Sequence, residues 1–200
     1  MLVSAIMPTR GRPEMSRRCL EYWRAQTWQG SQLIIVDDAD NPSFPEGLDE
    51  PGVERIAVPE RFSIGAKRNY AAALATSDVI IHFDSDDFYA PERIADQVQR
   101  LTSSGKAVNG YRNIKFTDGK SWWKNTNWPG GYGASLCYRG DWWMNHPFAN
   151  TSDGEDWHFV QAAMRANEFI AADAGEMMYA TIHPGNTSPR VIGQGWIPLP

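Results

Sequence analysis

The stretch "DVIIHFDSDDFYAPERI", residues 78–94, decides how the rest of the chain is read. Ile80–Phe83 reads as the end of a buried strand and Pro91 as the start of a helix, with Asp84, Asp86 and Asp87 between them. Carboxylates crowded together repel unless a proton or a cation intervenes. A magnesium or manganese ion with oxygen ligands is the usual cation for such a cluster. A single Asp there would need no more than a turn-capping role, but the run Asp84-Ser85-Asp86-Asp87 after a buried strand points to a metal. A calcium EF-hand loop fails on spacing, because its twelfth position counted from Asp84 is Ala95 and not Glu.

Upstream, "LVSAIM" (2–7), "QLIIVDD" (32–38) and "VERIAV" (53–58) are further apolar runs that read as strands. Residues 13–28 have the spacing of a helix, and Ser63 is placed to cap another running from Ile64 to about Ala75. "ADNPSFPEG" (39–47) carries turn chemistry throughout. Strands thus alternate with helices over residues 2–102, and three strands are apolar on both faces. That pattern predicts an α/β fold, a Rossmann-like and mostly parallel sheet flanked by helices. After residue 105 come short aromatic strands punctuated by Gly, then a helix from about Glu155 to Asn167. Open parallel sheets bind ligands beyond the carboxyl ends of their strands. "PTRGR" (8–12), "DDAD" (37–40) and "DSDD" (84–87) lie at those ends and converge on one crevice.

The chain has 200 residues, enough for one domain, with a net charge of −5 that gives no field favouring nucleic acid. The early stretch holding Arg10, Arg12, Arg17, Arg18 and Arg24 is a local exception, although such arginines more often dress a solvated helix face. Two cysteines make no disulfide framework, and the four histidines have no HExxH spacing. No run nears the ~18 apolar residues of a membrane span, and "MLVSAIMP" lacks the basic start of a signal peptide. The expected setting is cytoplasmic.

Two further segments carry chemistry. In "SIGAKRNYAAA" (63–73), Lys67 and Arg68 fall in a first helical turn, where the helix dipole disfavours cations. They suit a bound phosphate, with Gly65 letting a ligand approach the backbone; facing solvent would cost them little. In "TSDGEDWHF" (151–159), Glu155 and Asp156 are candidate general bases. Ser152-x-x-Glu155 equally reads as a capping box, a purely structural role. Five of the nine tryptophans lie at 122–143, where large aromatics fill a core more often than they line a site.

The order "PTRGRPE", "VDDAD", "GAKRN", "HFDSDD", "GEDW", "HPGNTS" resembles the glycosyltransferase family 2 enzymes, of GT-A fold, over roughly residues 3–188. "FDSDD" with the later "GED" is the specific part. The resemblance implies an inverting transferase using a nucleotide-diphosphate sugar donor, a divalent cation (Mn2+ or Mg2+) and an acceptor hydroxyl. It implies one GT-A domain over 1–200, with a nucleotide-sugar half to about residue 105 and a smaller mixed acceptor-side half after it. It puts Pro8, Thr9 and Arg10 by the base, Asp37 or Asp38 on base or ribose, and Lys67, Arg68 and Asn69 near ribose and diphosphate. Asp84 and Asp86 fill the D-x-D positions and, with His183, are the candidate metal ligands, Asp86 first as the direct one and Asp84 nearer the ribose. Asp156 falls on the catalytic base, with Glu155 beside it. His183 and Asn186 would close over the donor phosphates or ligate the metal. "VDDAD" departs from the family in lacking small residues after its two acids. No added acceptor domain or integral membrane segment is in view, so the acceptor is not named by context. Nothing in the charge balance supports a nucleic-acid acceptor. Two rivals are a sugar nucleotidyltransferase, which would need a Gly-rich loop after the first strand, and a catalytically silent carbohydrate-binding protein.

Overall fold

The computed structural model describes residues 1–40, 50–125, 128, 130–188, 192–193 and 195–200. The elements in chain order are β1 (Val3–Thr9), α1 (Pro13–Arg24), β2 (Ser31–Asp37), β3 (Val53–Ala57), α2 (Ile64–Leu74), β4 (Val79–His82), β5 (Phe88–Tyr89) and α3 (Arg93–Ser104). Then follow β6 (Val108–Arg112), β7 (Lys115–Thr117), β8 (Trp122–Asn125), β9 (Cys137–Arg139), α4 (Gly140–Asn145), α5 (Glu155–Arg165), β10 (Phe169–Asp173), β11 (Met178–Thr181) and β12 (Trp196–Leu199). A short 3-10 turn covers Gly133–Ser135.

The large sheet has the order β10-β6-β9-β4-β1-β2-β3. β1 pairs in parallel with β2 and β4, β2 with β3, and β6 with β10; β9 alone runs antiparallel to its neighbours β4 and β6. A smaller mixed sheet follows the order β12-β8-β7-β11-β5. Strands from before and after residue 105 contribute to each sheet.

Both faces of the large sheet are covered, as the two-sided apolar runs require. On one face, Val3, Ala5 and Met7 of β1 and Leu33 and Ile35 of β2 pack with Cys19, Leu20 and Trp23 of α1 and Ile94 and Val98 of α3. On the other, Ile6, Ile34 and Ile80 pack with Ala71 and Ala72 of α2 and Phe159, Val160 and Ala163 of α5. The period-2 alternation of the strands thus builds two cores.

Several helix ends differ from the sequence expectation. α1 stops at Arg24 rather than Trp28. The Gln26 amide donates to the carbonyls of Tyr22 and Ala90, and Thr27 N–H donates to Pro91, so this segment turns away to hold the start of α3. α3 begins at Arg93, because Phe88–Tyr89 first pairs with β11. α5 ends at Arg165, where Asn167 adopts a left-handed φ of 56°. Asn167 and Glu168 N–H then bond the carbonyls of Met164 and Ala163, a Schellman ending. The turn read at 39–47 falls mostly outside the described residues.

Gly65 is required for a different reason from the one the sequence suggests. A Cβ there would lie 1.9 Å from the carbonyl oxygen of Ala149, so the chain's own 149–151 segment makes the close approach. Gly65 N–H donates to Thr151 O (3.0 Å) at the same crossing. Helix propensity alone would make Gly65→Ala stabilising by about 1 kcal/mol. The backbone clash should reverse that sign and cost about 2 kcal/mol or more, read as a lower midpoint in thermal unfolding. A raised midpoint would contradict the crossing.

Candidate functional site

The carboxyl ends of β1 and β4 and the starts of α2 and α5 enclose a cleft of about 560 Å³, closed on its far side by the small sheet. Pro8, Thr9, Arg10, Arg12, Lys67, Arg68, Asp84, Asp86, Glu155, Asp156 and Asn186 line it. Two of the three polar clusters expected at the strand ends, 8–12 and 84–87, converge on it, and 37–40 does not. Asp37, Asp38, Asn69 and His183 are not on its wall; His183 reaches it only through Asp86.

Each acid of the "DSDD" run meets a different partner. Asp84 accepts from the guanidinium of Arg68 (3.1 and 3.3 Å). Asp86 Oδ2 accepts from Arg12 (2.7 Å) and from Asn186 (3.3 Å), and lies 2.9 Å from His183 Nε2. Asp87 Oδ1 accepts from Thr181 N–H and ties the run to β11. The Arg12 guanidinium also bonds the Gly185 carbonyl, so it clasps the 183–186 turn to the acids. Burial alone would push the Asp86 carboxyl up. His183 and Arg12 outweigh that and hold it below the usual carboxylate range.

Arg68 is the buried centre of the site, 2% exposed, and its other arm meets Glu155 Oε1 at 2.5 Å. Burial works against its charge, but Asp84 and Glu155 raise its pKa above the ordinary arginine value. Burial raises the carboxyls of Asp84 and Glu155, and Arg68 opposes it in both. Lys67 is also buried; it donates to Asp38 (2.8 Å) and to the Thr9 carbonyl (3.1 Å). Asp38 further accepts from Phe62 N–H and faces Arg10 at 3.7 Å. Lys67 and Arg68 therefore have protein carboxylates as partners, which accounts physically for two cations in a first helical turn. Asp37 accepts from Ala39 N–H.

The capping-box reading of Ser152 and Glu155 does not hold. The residue before α5 is Gly154, with a left-handed φ of 73° and no side-chain cap. Ser152 Oγ instead accepts from Ile64 N–H of α2, and Glu155 turns inward to Arg68. Asp156 points the other way, into the cleft, where Oδ2 accepts from Gly133 N–H (3.0 Å) and Oδ1 from Trp157 N–H (2.8 Å). A Cβ on Gly133 would come within 2.5 Å of Asp156 Oδ2, so only glycine fits beside this carboxylate.

Asn69 is a brace. Its Oδ1 accepts from Phe148 N–H and the Trp143 indole, and its Nδ2 donates to the Phe148 carbonyl. Gly133 and the Arg12 clasp escape a reading of the sequence, since their partners lie 23 and 74 residues away. Arg12 left only the trace of an early basic stretch. Of the tryptophans at 122–143, Trp128 lines the cleft, together with Trp157 and Trp196 from later in the chain.

Asp86 Oδ2 and His183 Nε2, 2.9 Å apart, are the pair that would hold a divalent cation. Among the described residues no three His, Cys, Asp or Glu side chains form a metal cluster. The pair still fits Mg2+ or Mn2+, which keep waters and take substrate phosphates alongside one or two protein ligands.

The family model for glycosyl transferase family 2 matches residues 4–173. WcaA of Escherichia coli K12, a putative colanic acid biosynthesis glycosyl transferase, is 28% identical over 119 residues, 55% of this chain and 43% of that protein. The succinoglycan biosynthesis protein ExoO of Rhizobium meliloti is 27% identical over 94 residues, 46% of this chain and 27% of that one. The chain thus spans less than half the length of these curated relatives. Among solved structures, TarS of S. aureus (residues 1–349, with UDP-GlcNAc) superposes with a TM-score of 0.77 at 17% identity, over 94% of this chain and 60% of that one. The mannosyltransferase PcManGT of Pyrobaculum calidifontis, with GDP-Man and Mn2+, gives 0.73 at 14%, over 92% and 58%. These likenesses show the fold, that of the GT-A glycosyltransferases.

Three substitutions separate bracing from binding. Arg68→Ala leaves the buried Glu155 and the part-buried Asp84 without their cation and should cost about 3 kcal/mol in urea unfolding. Arg24→Ala, which removes a solvent-facing pair with Glu50, should cost under about 1 kcal/mol. Equal costs would remove Arg68 from the centre of the site. Asn69→Ala should lower stability by about 1–3 kcal/mol and leave nucleoside-diphosphate affinity unchanged in calorimetry. A loss of affinity without a loss of stability would return Asn69 to the donor site.

Proposed function

We propose, for a chain that belongs to glycosyl transferase family 2, that the cleft binds a nucleotide-diphosphate sugar with a divalent cation and passes the sugar, with inversion, to an acceptor hydroxyl. The observation that carries this reading is a division of labour among the cleft carboxylates. Arg68 neutralises Asp84 and Glu155, while Asp86 and Asp156 face the cleft without it. Asp86, part-buried beside His183 and Arg12, suits a cationic task, and Asp156, part-buried and held by two backbone N–H donors on the α5 side, suits proton transfer.

Asp86 and His183 would hold the cation, which neutralises charge on the departing nucleoside diphosphate. Pro8, Thr9 and Arg10 line the entry where the base would sit. Arg10 and Arg12 are the partly exposed cations on the wall, within reach of an incoming diphosphate. Lys67, tied to Thr9 and Asp38, holds the β1 end that would carry the base. Asn186, bonded to Asp86, keeps the 183–186 turn over the same position.

Asp156 takes the proton of the attacking hydroxyl. Its position across the cleft from the cation-holding pair suits attack on the face of the anomeric carbon opposite the leaving group, and one displacement inverts configuration. Glu155, saturated by Arg68, is a brace in this mechanism. Trp128, Trp157 and Trp196 form an aromatic wall beside Asp156 on which an acceptor ring could stack. No helix among the described residues is long and apolar enough to cross a membrane. The two unpaired buried thiols, Cys19 and Cys137, fit a reducing compartment, and we place the protein in the cytoplasm.

Nucleotide release from UDP-GlcNAc, GDP-mannose and related donors is the direct assay. Turnover should require Mn2+ or Mg2+ and stop in EDTA, and Asp156→Asn should lower it at least ~10²-fold with donor affinity kept. The product's anomeric configuration, read by NMR, should be opposite to the donor's. Full activity in EDTA would remove the metal, retention would remove the base, and sugar binding without nucleotide release would leave the non-catalytic reading.

A further inference from the structure

His82 is a buried residue that no part of this mechanism uses. It ends β4, two residues before Asp84, and is 0% exposed. Its Nδ1 lies 2.6 Å from the carbonyl oxygen of Gly133, and its Nε2 lies 3.2 Å from the hydroxyl of Tyr138. A carbonyl only accepts, so Nδ1 carries the proton and Nε2 accepts from Tyr138. Burial, with Arg68 and Arg93 nearby, pushes the imidazole pKa well below its ordinary value, which agrees with a neutral ring. Tyr138 and Phe148 pack around the ring and fix its orientation.

Gly133 N–H donates to Asp156 Oδ2 from outside α5, while the other donor, Trp157 N–H, is the next residue of the helix itself. Gly133 has to be glycine, because Asp156 fills the space of its Cβ. Glycine is the residue least able to hold its own backbone angles. The site therefore asks its most flexible residue to present an N–H in one direction. Within the turn, its carbonyl has only a 3.3 Å bond from Leu136 N–H. The short bond from His82 supplies the missing restraint. Arg93 supports the same junction by donating to the carbonyls of His82 (2.6 Å) and Ala134 (3.0 Å).

We propose that His82 is a positioning residue: through the Nδ1–H bond to Gly133 it aims the Gly133 N–H at Asp156, and so sets the direction of the catalytic base. The inference rests on the reading of Asp156 as that base. It couples the strand that carries the acids to the helix that carries the base, across the cleft floor. No covalent or redox step is involved; His82 keeps its proton throughout.

The test uses substitutions that differ in where they place an N–H. Asn has its amide nitrogen the same number of bonds from Cα as Nδ1, so His82→Asn can still donate to Gly133. Leu removes the donor, and Gln carries its amide one bond too far. With UDP-GlcNAc and GDP-mannose as donor probes, His82→Leu and His82→Gln should lower kcat at least ~10-fold, since small misplacement of a reacting group costs up to ~10²-fold. The Kd for UDP and GDP should stay within ~3-fold in both, and His82→Asn should restore kcat to within ~3-fold. Amide exchange of Gly133 should quicken in the Leu and Gln variants and not in Asn. Equal turnover in all three variants would overturn the proposal, as would equal losses that follow the thermal midpoint, since that pattern is packing alone. Asp156→Asn is run beside them. If it stays active, the base reading has failed; if it is inactive while His82→Leu and His82→Gln turn over normally, only the positioning role has failed.

Discussion

One buried guanidinium sets the conditions for everything else in the cleft. Arg68, on the second turn side of α2, reaches Asp84 at the end of β4 with one arm and Glu155 at the start of α5 with the other. A charge taken out of water is costly unless it is paired and hydrogen-bonded. The three groups are therefore bound to one another's positions: none can move out without stranding the other two. Three segments separated by up to 87 residues are fastened at one point. The Phe148 ring, 5.8 Å from the guanidinium carbon, closes that point from the side, and Asn69 holds the Phe148 backbone.

This constraint sorts the acids. Two carboxylates of the cleft are spent on Arg68, and Asp87 is spent on Thr181 N–H. Asp86 and Asp156 line the cleft without a bond to Arg68, and Asp153, exposed in the turn before α5, lines it as well. Asp86 has cationic and amide neighbours from two distant segments, Arg12 and the 183–186 turn. Asp156 accepts from two backbone N–H groups, those of Gly133 and Trp157. The repulsion expected of three clustered aspartates is thus relieved chiefly by the protein's own cations, Arg68 at Asp84 and Arg12 at Asp86, and the proposed external ion would join Asp86 and His183.

Much of this was legible in the sequence, and the failures share a cause. The strands 3–9, 31–37 and 79–82 were readable because apolar residues on both faces of a short run have few other uses, while 53–57, with Glu54 and Arg55, was readable only as a half-apolar run. The convergence of residues 8–12 and 84–87 followed from the rule that ligands meet parallel strands at their carboxyl ends. What misled was each motif whose partner is remote. Ser152 and Glu155 have the spacing of a capping box, but both side chains bond residues of the α2 segment. Gly65 looked like a seat for a ligand and proved to be a crossing point of the chain with itself. Lys67 and Arg68 looked like free cations because the carboxylates that pair with them are distant in the chain. Helix ends slipped for the same reason: Thr27 leaves α1 to bond Pro91. Local spacing names the residues that matter; the sign of their role depends on contacts that spacing does not contain.

The central claim is that Arg68 remains an internal brace while Asp86 and His183 take the cation. A crystal structure with Mn2+ and a nucleoside diphosphate, phased so that the manganese anomalous signal locates the ion, tests both halves at once. The account requires the anomalous peak beside Asp86 and His183, bridged to the diphosphate, with Arg68 still joining Asp84 to Glu155 and Arg12 moved off Asp86. A peak held between Asp84 and Glu155, or Arg68 swung out onto the phosphates, would contradict it.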